Sequence, residues 1–440
     1  MSISPIAAEN LSNYIIKNNY NHLNIFIDLS NILNIMFLDE FIIKIIESTN
    51  CSDYINSDIF GLILKTIIDW KQITDYCKID SDIYIITDTG KSEYHYQLYD
   101  NYKKNRELNI DQLMSEYNEL STIKEFQPNI ISRKLEIERL INKQKLRSEF
   151  MPIKHKNFNL CESVIKSINN NIYFIKLNKL ESDFISYYLL TRNICKHSDN
   201  QTLNIINSRD HDMFQILQLP NTCQYFNRSG SDVILDKNNI IEFILKDCKS
   251  ENKLIELKSK FNIKNLLLIY ALSGDLSDNI PGIHNIGIIT AIRLLDDDII
   301  EKFIGNNIED KISNNQLIFE NSFLDYILSS NINNPWHKIF NKQFKYYKDI
   351  TDPNELFNLL NTTVTTGYKL ISFEQLSRWL EKADTEHKIE TINTINTAIN
   401  KSIQSSISPN ELLESIDLFS VNTSYPYIFD CIRQNINILF

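Results

Sequence analysis

Asp28 closes the apolar run NIFID, Asp88 closes DIYIITD, and Asp210 closes TLNIINSRD, with Asp212 two residues further on. Glu181 and Asp183 follow NIYFIKL in the segment LESDF. Asp275 and Asp278 stand three apart in GDLSDN, beside Gly274, Gly282 and Gly287, in a chain with only 8 glycines. Carboxylates gathered at several strand ends are the hard oxygen donors that Mg²⁺ prefers. Two such ions about 3.5–4 Å apart supply a nucleophilic water and relieve charge at a phosphate, the two needs of phosphodiester hydrolysis at neutral pH. Singly, each acid has an ordinary explanation. Asp28 could cap a helix, and Glu181, Asp183, Asp210 and Asp212 could be first-turn acids favoured by the helix dipole. Four such coincidences at strand ends fit those explanations less well.

The glycine-rich stretch adds a second element. The three-residue spacing of Asp275 and Asp278 suits one turn of helix, which Pro281 stops. GIHNIG then places two glycines around a tight hairpin, and IITAIRLL opens another helix. A hairpin of this kind presents backbone N–H groups to phosphate, and glycine permits the close approach. GKS at Gly90 is not a phosphate loop, because that motif needs glycine five residues earlier and Ile85 stands there.

The elements that must position these residues read as a βαβ series. Runs at 24–29, 82–88, 171–177, 202–210 and 222–227 alternate with helical windows, which predicts a mostly parallel sheet flanked by helices. In such sheets function gathers at the carboxyl ends of strands. The expected organisation is an α/β core over 1–230, a helical region with a hairpin over 231–350, and a helical extension over 351–440 without a chemical motif. Residues 107–160 interrupt the core with no convincing strand and a basic amphipathic helix, SRKLEIERLINKQKLRSEF, bracketed by Pro128 and Pro152. By itself that helix reads as a solvated, ion-paired surface. The tail PYIFDCIRQNINILF is apolar enough to dock on the protein's own core.

Composition bounds the rest. The chain is globular in make-up, with 43% hydrophobic residues and a net charge of −11. That charge speaks against nucleic-acid binding only if the acids are evenly spread. No window approaches about 18 apolar residues, so no membrane span is expected, and the N-terminus lacks the marks of a signal peptide. Seven scattered cysteines argue against a disulfide framework and against a zinc site, and for a reducing intracellular compartment.

Taken together the motifs resemble the 5′-nuclease superfamily, most closely the bacteriophage-type flap endonucleases and 5′–3′ exonucleases. GDLSDNIPGIHNIGIITAIRLL is similar to that family's G-D-x-S-D-N-I-P-G run, TDTGKSEYHYQLYDNYKKNRE to its Asp, Gly-Lys and Y-K-x-x-R elements, LESDF to its E-x-D core, SRDHDMFQIL to its D-x-D motif, and FIDLSN to its first aspartate. The resemblance implies a PIN-like core with a helix-hairpin-helix element. It implies that Asp28, Asp88, Glu181, Asp183, Asp210, Asp212, Asp275 and Asp278 hold two Mg²⁺ or Mn²⁺ ions, and that Lys103 and Arg106 contact the scissile phosphate. Gly282, Ile283, Asn285 and Gly287 would grip duplex DNA, with K⁺ at the hairpin. The basic span would be an arch, with Arg133, Lys134, Arg139, Lys143, Lys145 and Arg147 facing a single-stranded 5′ end. Eight metal-neutralised acids would bring the net charge from −11 to −3. The expected partner is DNA with a 5′ flap or free 5′ end, the expected state a monomer. The chain departs from the family pattern at Phe184 (a second Asp), Ile289 (a Lys) and Asn285 (a Gly). Those departures also admit a catalytically weakened DNA-binding protein, and the core alone admits a PIN-like ribonuclease.

Overall fold

The computed structural model describes residues 3, 5–36, 52–104, 110–122, 130–138, 141, 158, 162, 165, 168, 171–226, 232–246, 248, 250–276, 278–295, 297–305, 307–329, 334–400, 408–420, 423 and 426–439. Six strands form one sheet: β1 (His22–Asp28), β2 (Asp80–Thr89), β3 (Ile172–Asn178), β4 (Thr202–Asn207), β5 (Thr222–Phe226) and β6 (Val233–Leu235). Their order is β3-β2-β1-β4-β5-β6, and all pairings are parallel except β5 with β6. The five expected strands are present. β6 was not foreseen, because three residues leave too short a trace of periodicity.

β1 is central and buried along its whole length, as a strand covered on both faces must be. Its alternate residues serve two cores. Leu23, Ile25 and Ile27 face the helices Pro5–Lys17 and Ser52–Cys77. Phe26 points the other way and stacks on its register partner Tyr84, which stacks on Tyr173 of β3, with ring centroids 4.9 Å apart in both pairs. The helices Phe373–Glu381 and Glu386–Ile399 contribute Leu376, Leu380 and Ile395 to this second core.

The C-terminal tail docks as its apolar pattern predicts. Phe429, Ile432 and Leu439 are buried in the first core. The Phe429 ring lies 3.0 Å from where a Cβ on Gly61 would stand, so the one glycine of the helix Ser52–Cys77 is the seat of that ring. Residues beyond 350 therefore complete both faces of the sheet. A third core surrounds the helix Leu266–Ser273 and runs without a break into the helix Pro353–Ile371.

Within 107–160 the described stretches 110–122 and 130–138 are helical. They meet through Leu113, Ile137 and Ile141. Arg133 pairs with Glu116 of the facing helix through Nε (2.8 Å) and Nη2 (3.0 Å) and with Glu136 at 3.0 Å.

Candidate active site

Parallel register brings the strand-end acids together. Asp28 ends β1 beside Ile86, and Asp88 lies two residues further along β2. β4 ends at Asn207, and Ser208 and Asp210 follow in the adjoining loop. Three serines orient carboxylates that belong to other segments. Ser208 donates to Asp28 Oδ2 (2.8 Å), and both the amide (3.0 Å) and hydroxyl (3.1 Å) of Ser182 donate to Asp88 Oδ2. Ser30 donates to Asp88 Oδ1 at 3.3 Å. These serines were missed in the sequence, although each sits within two residues of a predicted acid.

Two local expectations are corrected. Glu181 and Asp183 precede their helix, which starts at Ile185. The N-cap position is held by the fully buried Phe184, which joins the second core and cannot replace a carboxylate. Asp275 and Asp278 do not share a helix turn. The helix Leu266–Ser273 stops at Gly274, whose φ of +66° ends it, and Asp275 pairs with Ile280 in a small antiparallel turn through bonds of 3.1 and 2.8 Å. Three-residue spacing fits both a helix and such a turn, and the left-handed glycine decides between them.

Lys103 lies between this turn and the strand ends. Its backbone is left-handed (φ +54°), and its amide donates to the Asp278 carbonyl at 2.7 Å. Its Nζ is 2.6 Å from Glu181 Oε1 and 3.7 Å from Asp278 Oδ2. Tyr102 donates to Glu181 Oε2 at 3.0 Å and stacks on His95, with ring centroids 4.4 Å apart. Burial lowers the His95 pKa; its Nδ1 lies 2.6 Å from the Ser92 hydroxyl and its Nε2 2.9 Å from the Leu370 carbonyl. The helix Pro353–Ile371 thus braces the Lys103 side of the site.

Electrostatics ties the acids into one group. Burial raises the Asp28 carboxyl to about 7; hydrogen bonds from Asn31 and Ser208 oppose this, and Asp210 and Asp88 add to it. Asp183 is raised well above the carboxylate range by burial and by Asp28, Asp210, Glu181 and Asp88. Asp212 is raised likewise by burial and by Asp210, Asp278 and Asp275, against Lys103. Asp210 is also raised, by burial first and then by Asp278 among others. Glu181 goes the other way: burial would raise it, but Lys103, His95 and the bonds from Lys103 and Tyr102 bring it down to about 2. The eight predicted acids are therefore linked in one negative field, in which Lys103 acts on Glu181, Asp278, Asp210 and Asp212. Among the described residues, no three of them bring carboxylate oxygens within 4.8 Å of one another.

A pH effect follows. From about pH 4 to 7 the folded, metal-free protein holds a proton on Asp28 that the unfolded chain has released, so stability falls as pH rises through that window. Asp183, Asp210 and Asp212 act in the same direction. Glu181 contributes oppositely, but only between about 2 and 4.5. In EDTA the Tm should therefore fall between pH 5 and 7.5, and millimolar Mg²⁺ should reverse the fall; calorimetry checks both.

The hairpin is built differently from its sequence reading. A Cβ on Gly282 would stand 2.4 Å from the Gly274 nitrogen and 2.5 Å from the Ser273 carbonyl carbon, so Gly282 packs on its own chain and not on a ligand. Ile283 is buried and its N–H donates to the Leu272 carbonyl at 2.9 Å. Asn285 takes the left-handed position (φ +63°) that a glycine would otherwise fill. Only Asn285 and Gly287 of the four predicted hairpin contacts are exposed, and nothing lies within 4 Å of a Cβ placed on Gly287. Ile289 packs against the third core. Gly282→Ala should destabilise the protein by roughly 1–3 kcal/mol or more, while Gly287→Ala should stay within about 0.5 kcal/mol; paired denaturant melts distinguish them.

Lys134 holds its Nζ over the Tyr117 ring at 5.6 Å. Arg106, Arg139, Lys143, Lys145 and Arg147 lie outside the described residues.

No family model and no curated protein matches the sequence. Among solved structures, a bacteriophage T5 5′-exonuclease with divalent metal ions (zinc) bound is similar at a TM-score of 0.47 and 12% identity, over 86% of this chain and 100% of that one. A bacteriophage T5 flap endonuclease in a pseudo-enzyme-product complex with DNA and metal ions is similar at 0.46 and 12%, over 86% and 99%.

Proposed function

We propose that the chain is a divalent-metal-dependent 5′ nuclease that hydrolyses phosphodiesters in DNA carrying a 5′ flap or a free 5′ end. The observation that carries this reading is the convergence of eight carboxylates from separate segments around Lys103. The upward push on Asp28, Asp183, Asp210 and Asp212 comes first from burial and then from the neighbouring carboxylates, and among the described residues Lys103 is the lysine that opposes it, at Asp210 and Asp212. The donor set is all hard oxygen and fits Mg²⁺ or Mn²⁺. Asp28, Asp88, Glu181, Asp183, Asp210, Asp212, Asp275 and Asp278 would hold the two ions. When bound, they supply an activated water and charge relief at the phosphate.

The chain's own groups do the rest. Ser182 and Ser208 fix the carboxylates of Asp88 and Asp28, so the site is preorganised before anything binds. Lys103 is held by Glu181 and Asp278 beside the acids, placed to meet the negative charge that grows on a phosphate under attack. The substrate class comes from the sequence motifs, with Arg106, the basic span and the exposed Asn285 and Gly287 as DNA contacts. Replication or repair would be the setting.

The test is digestion of a 5′-labelled flap duplex, with single-stranded RNA as comparison. Cleavage of the flap in Mg²⁺ or Mn²⁺, abolished by EDTA and replaced by binding without cutting in Ca²⁺, is the expected result. Binding with no cleavage in either metal, or preference for the RNA, would overturn it.

A further inference from the structure

The amino ends of the same strands carry a different constellation. His22 is the first residue of β1 and Asp82 the third of β2, and His197 lies in the loop before β4. His22 Nε2 is 3.1 Å and His197 Nδ1 2.7 Å from the same oxygen, Asp82 Oδ2. All three ligand atoms fall within 4.8 Å of one another, and this is the one group of three or more His, Cys, Asp or Glu among the described residues that does so. Six residues of strand separate Asp82 from Asp88, which at about 3.3 Å each is roughly 20 Å. The group is therefore remote from the carboxylate cluster.

We infer that His22, Asp82 and His197 form a second metal site, one that takes a zinc-class transition-metal ion and clamps β1, β2 and the loop before β4 together. In tetrahedral zinc geometry, ligands at 2.0–2.1 Å lie about 3.3 Å apart; the 3.1 Å edge from His22 is near that spacing, whereas the 2.7 Å edge from His197 is at hydrogen-bond length and the two rings, with centroids 3.8 Å apart, must open by rotation of the exposed His197 to admit the ion. Two imidazoles and one carboxylate match zinc better than Mg²⁺. His22 would bind through Nε2 with its proton on Nδ1, and His197 through Nδ1 with its proton on Nε2.

The surroundings are those of a ligand set and not of a chance cluster. Tyr173 donates to the other Asp82 oxygen at 3.2 Å, which fixes the carboxylate as an outer partner does in metal sites. Asn24, two residues along β1 and so on the same face as His22, is fully buried, and its carbonyl oxygen has no hydrogen-bond partner. Its amide donates to the His197 carbonyl at 2.7 Å, which places it beside the group. The His197 side chain is 51% exposed and the Asp82 side chain 1%, so the site opens to solvent on one side only. The fourth position falls to water, which the exposed side of His197 admits. The cysteine spacing spoke against zinc, but it speaks only to thiolate ligands.

The experiment uses the full chain in excess Mg²⁺, which occupies the carboxylate cluster, with bound zinc counted after equilibrium dialysis. Wild type should hold one zinc equivalent more than His197→Ala, a change at an exposed side chain. Asp210→Asn should leave that equivalent in place. With isotope-labelled histidine, one equivalent of zinc should shift the ring signals of His22 and His197. Tyr173→Phe should weaken this binding roughly 10–100-fold. Equal zinc counts in wild type and His197→Ala, or unmoved ring signals, would reduce the group to a hydrogen-bonded triad and overturn the inference.

Discussion

Asp210→Asn is expected to lower flap cleavage roughly 10³-fold in saturating Mg²⁺ while raising the Tm of the metal-free protein. The first effect corresponds to about 4 kcal/mol of lost transition-state stabilisation, the scale on which metal-held charge acts. The second follows from repulsion. Asp210 adds to the upward push on Asp28, Asp183 and Asp212, so removing its charge relieves all three. Each kcal/mol gained should raise the Tm by roughly 1 °C for a chain of 440 residues unfolding as one unit. The amide keeps the shape and can still accept the Asp212 N–H, a bond of 2.9 Å. Opposite movements of activity and stability distinguish a functional carboxylate from a structural one. Single-turnover cleavage and calorimetry in EDTA give the two readings, and loss of both activity and stability would mark Asp210 as structural.

Lys103→Ala should lower the single-turnover rate about 10²–10³-fold, the loss expected when one charge-stabilising group leaves a preorganised site. Substrate binding should weaken much less, because one phosphate contact among many is removed. The variant also unpairs Glu181, whose carboxyl is held near 2 chiefly by Lys103 against burial. The rise of that carboxyl toward its ordinary range should be visible by carbon NMR of labelled glutamate. A full rate with an unmoved Glu181 would remove Lys103 from the site.

Much of this site was legible in the sequence because a parallel sheet places strand ends side by side. Asp28, Asp88 and Asp210 each follow an apolar run, and register does the rest. Residues that act across the chain were harder to see. Ser208 serves Asp28 and Ser182 serves Asp88, and nothing local marks either pairing. The turn at Asp275–Ile280 was read as helix because spacing alone cannot separate the two. The close contact of Gly274 with Gly282 depends on how two backbones meet, and Gly61 has meaning only once Phe429 arrives from the far end of the chain. His22, Asp82 and His197 are scattered in sequence, and only β pairing and a loop bring them to one point.

The most direct test of the account is to crystallise the protein with Mn²⁺ and collect anomalous diffraction at the manganese edge. The account predicts two peaks among Asp28, Asp88, Glu181, Asp183, Asp210, Asp212, Asp275 and Asp278, both lost in Asp210→Asn or reduced to one. A map with no manganese among these carboxylates, from protein that still cuts DNA in the same buffer, would contradict it.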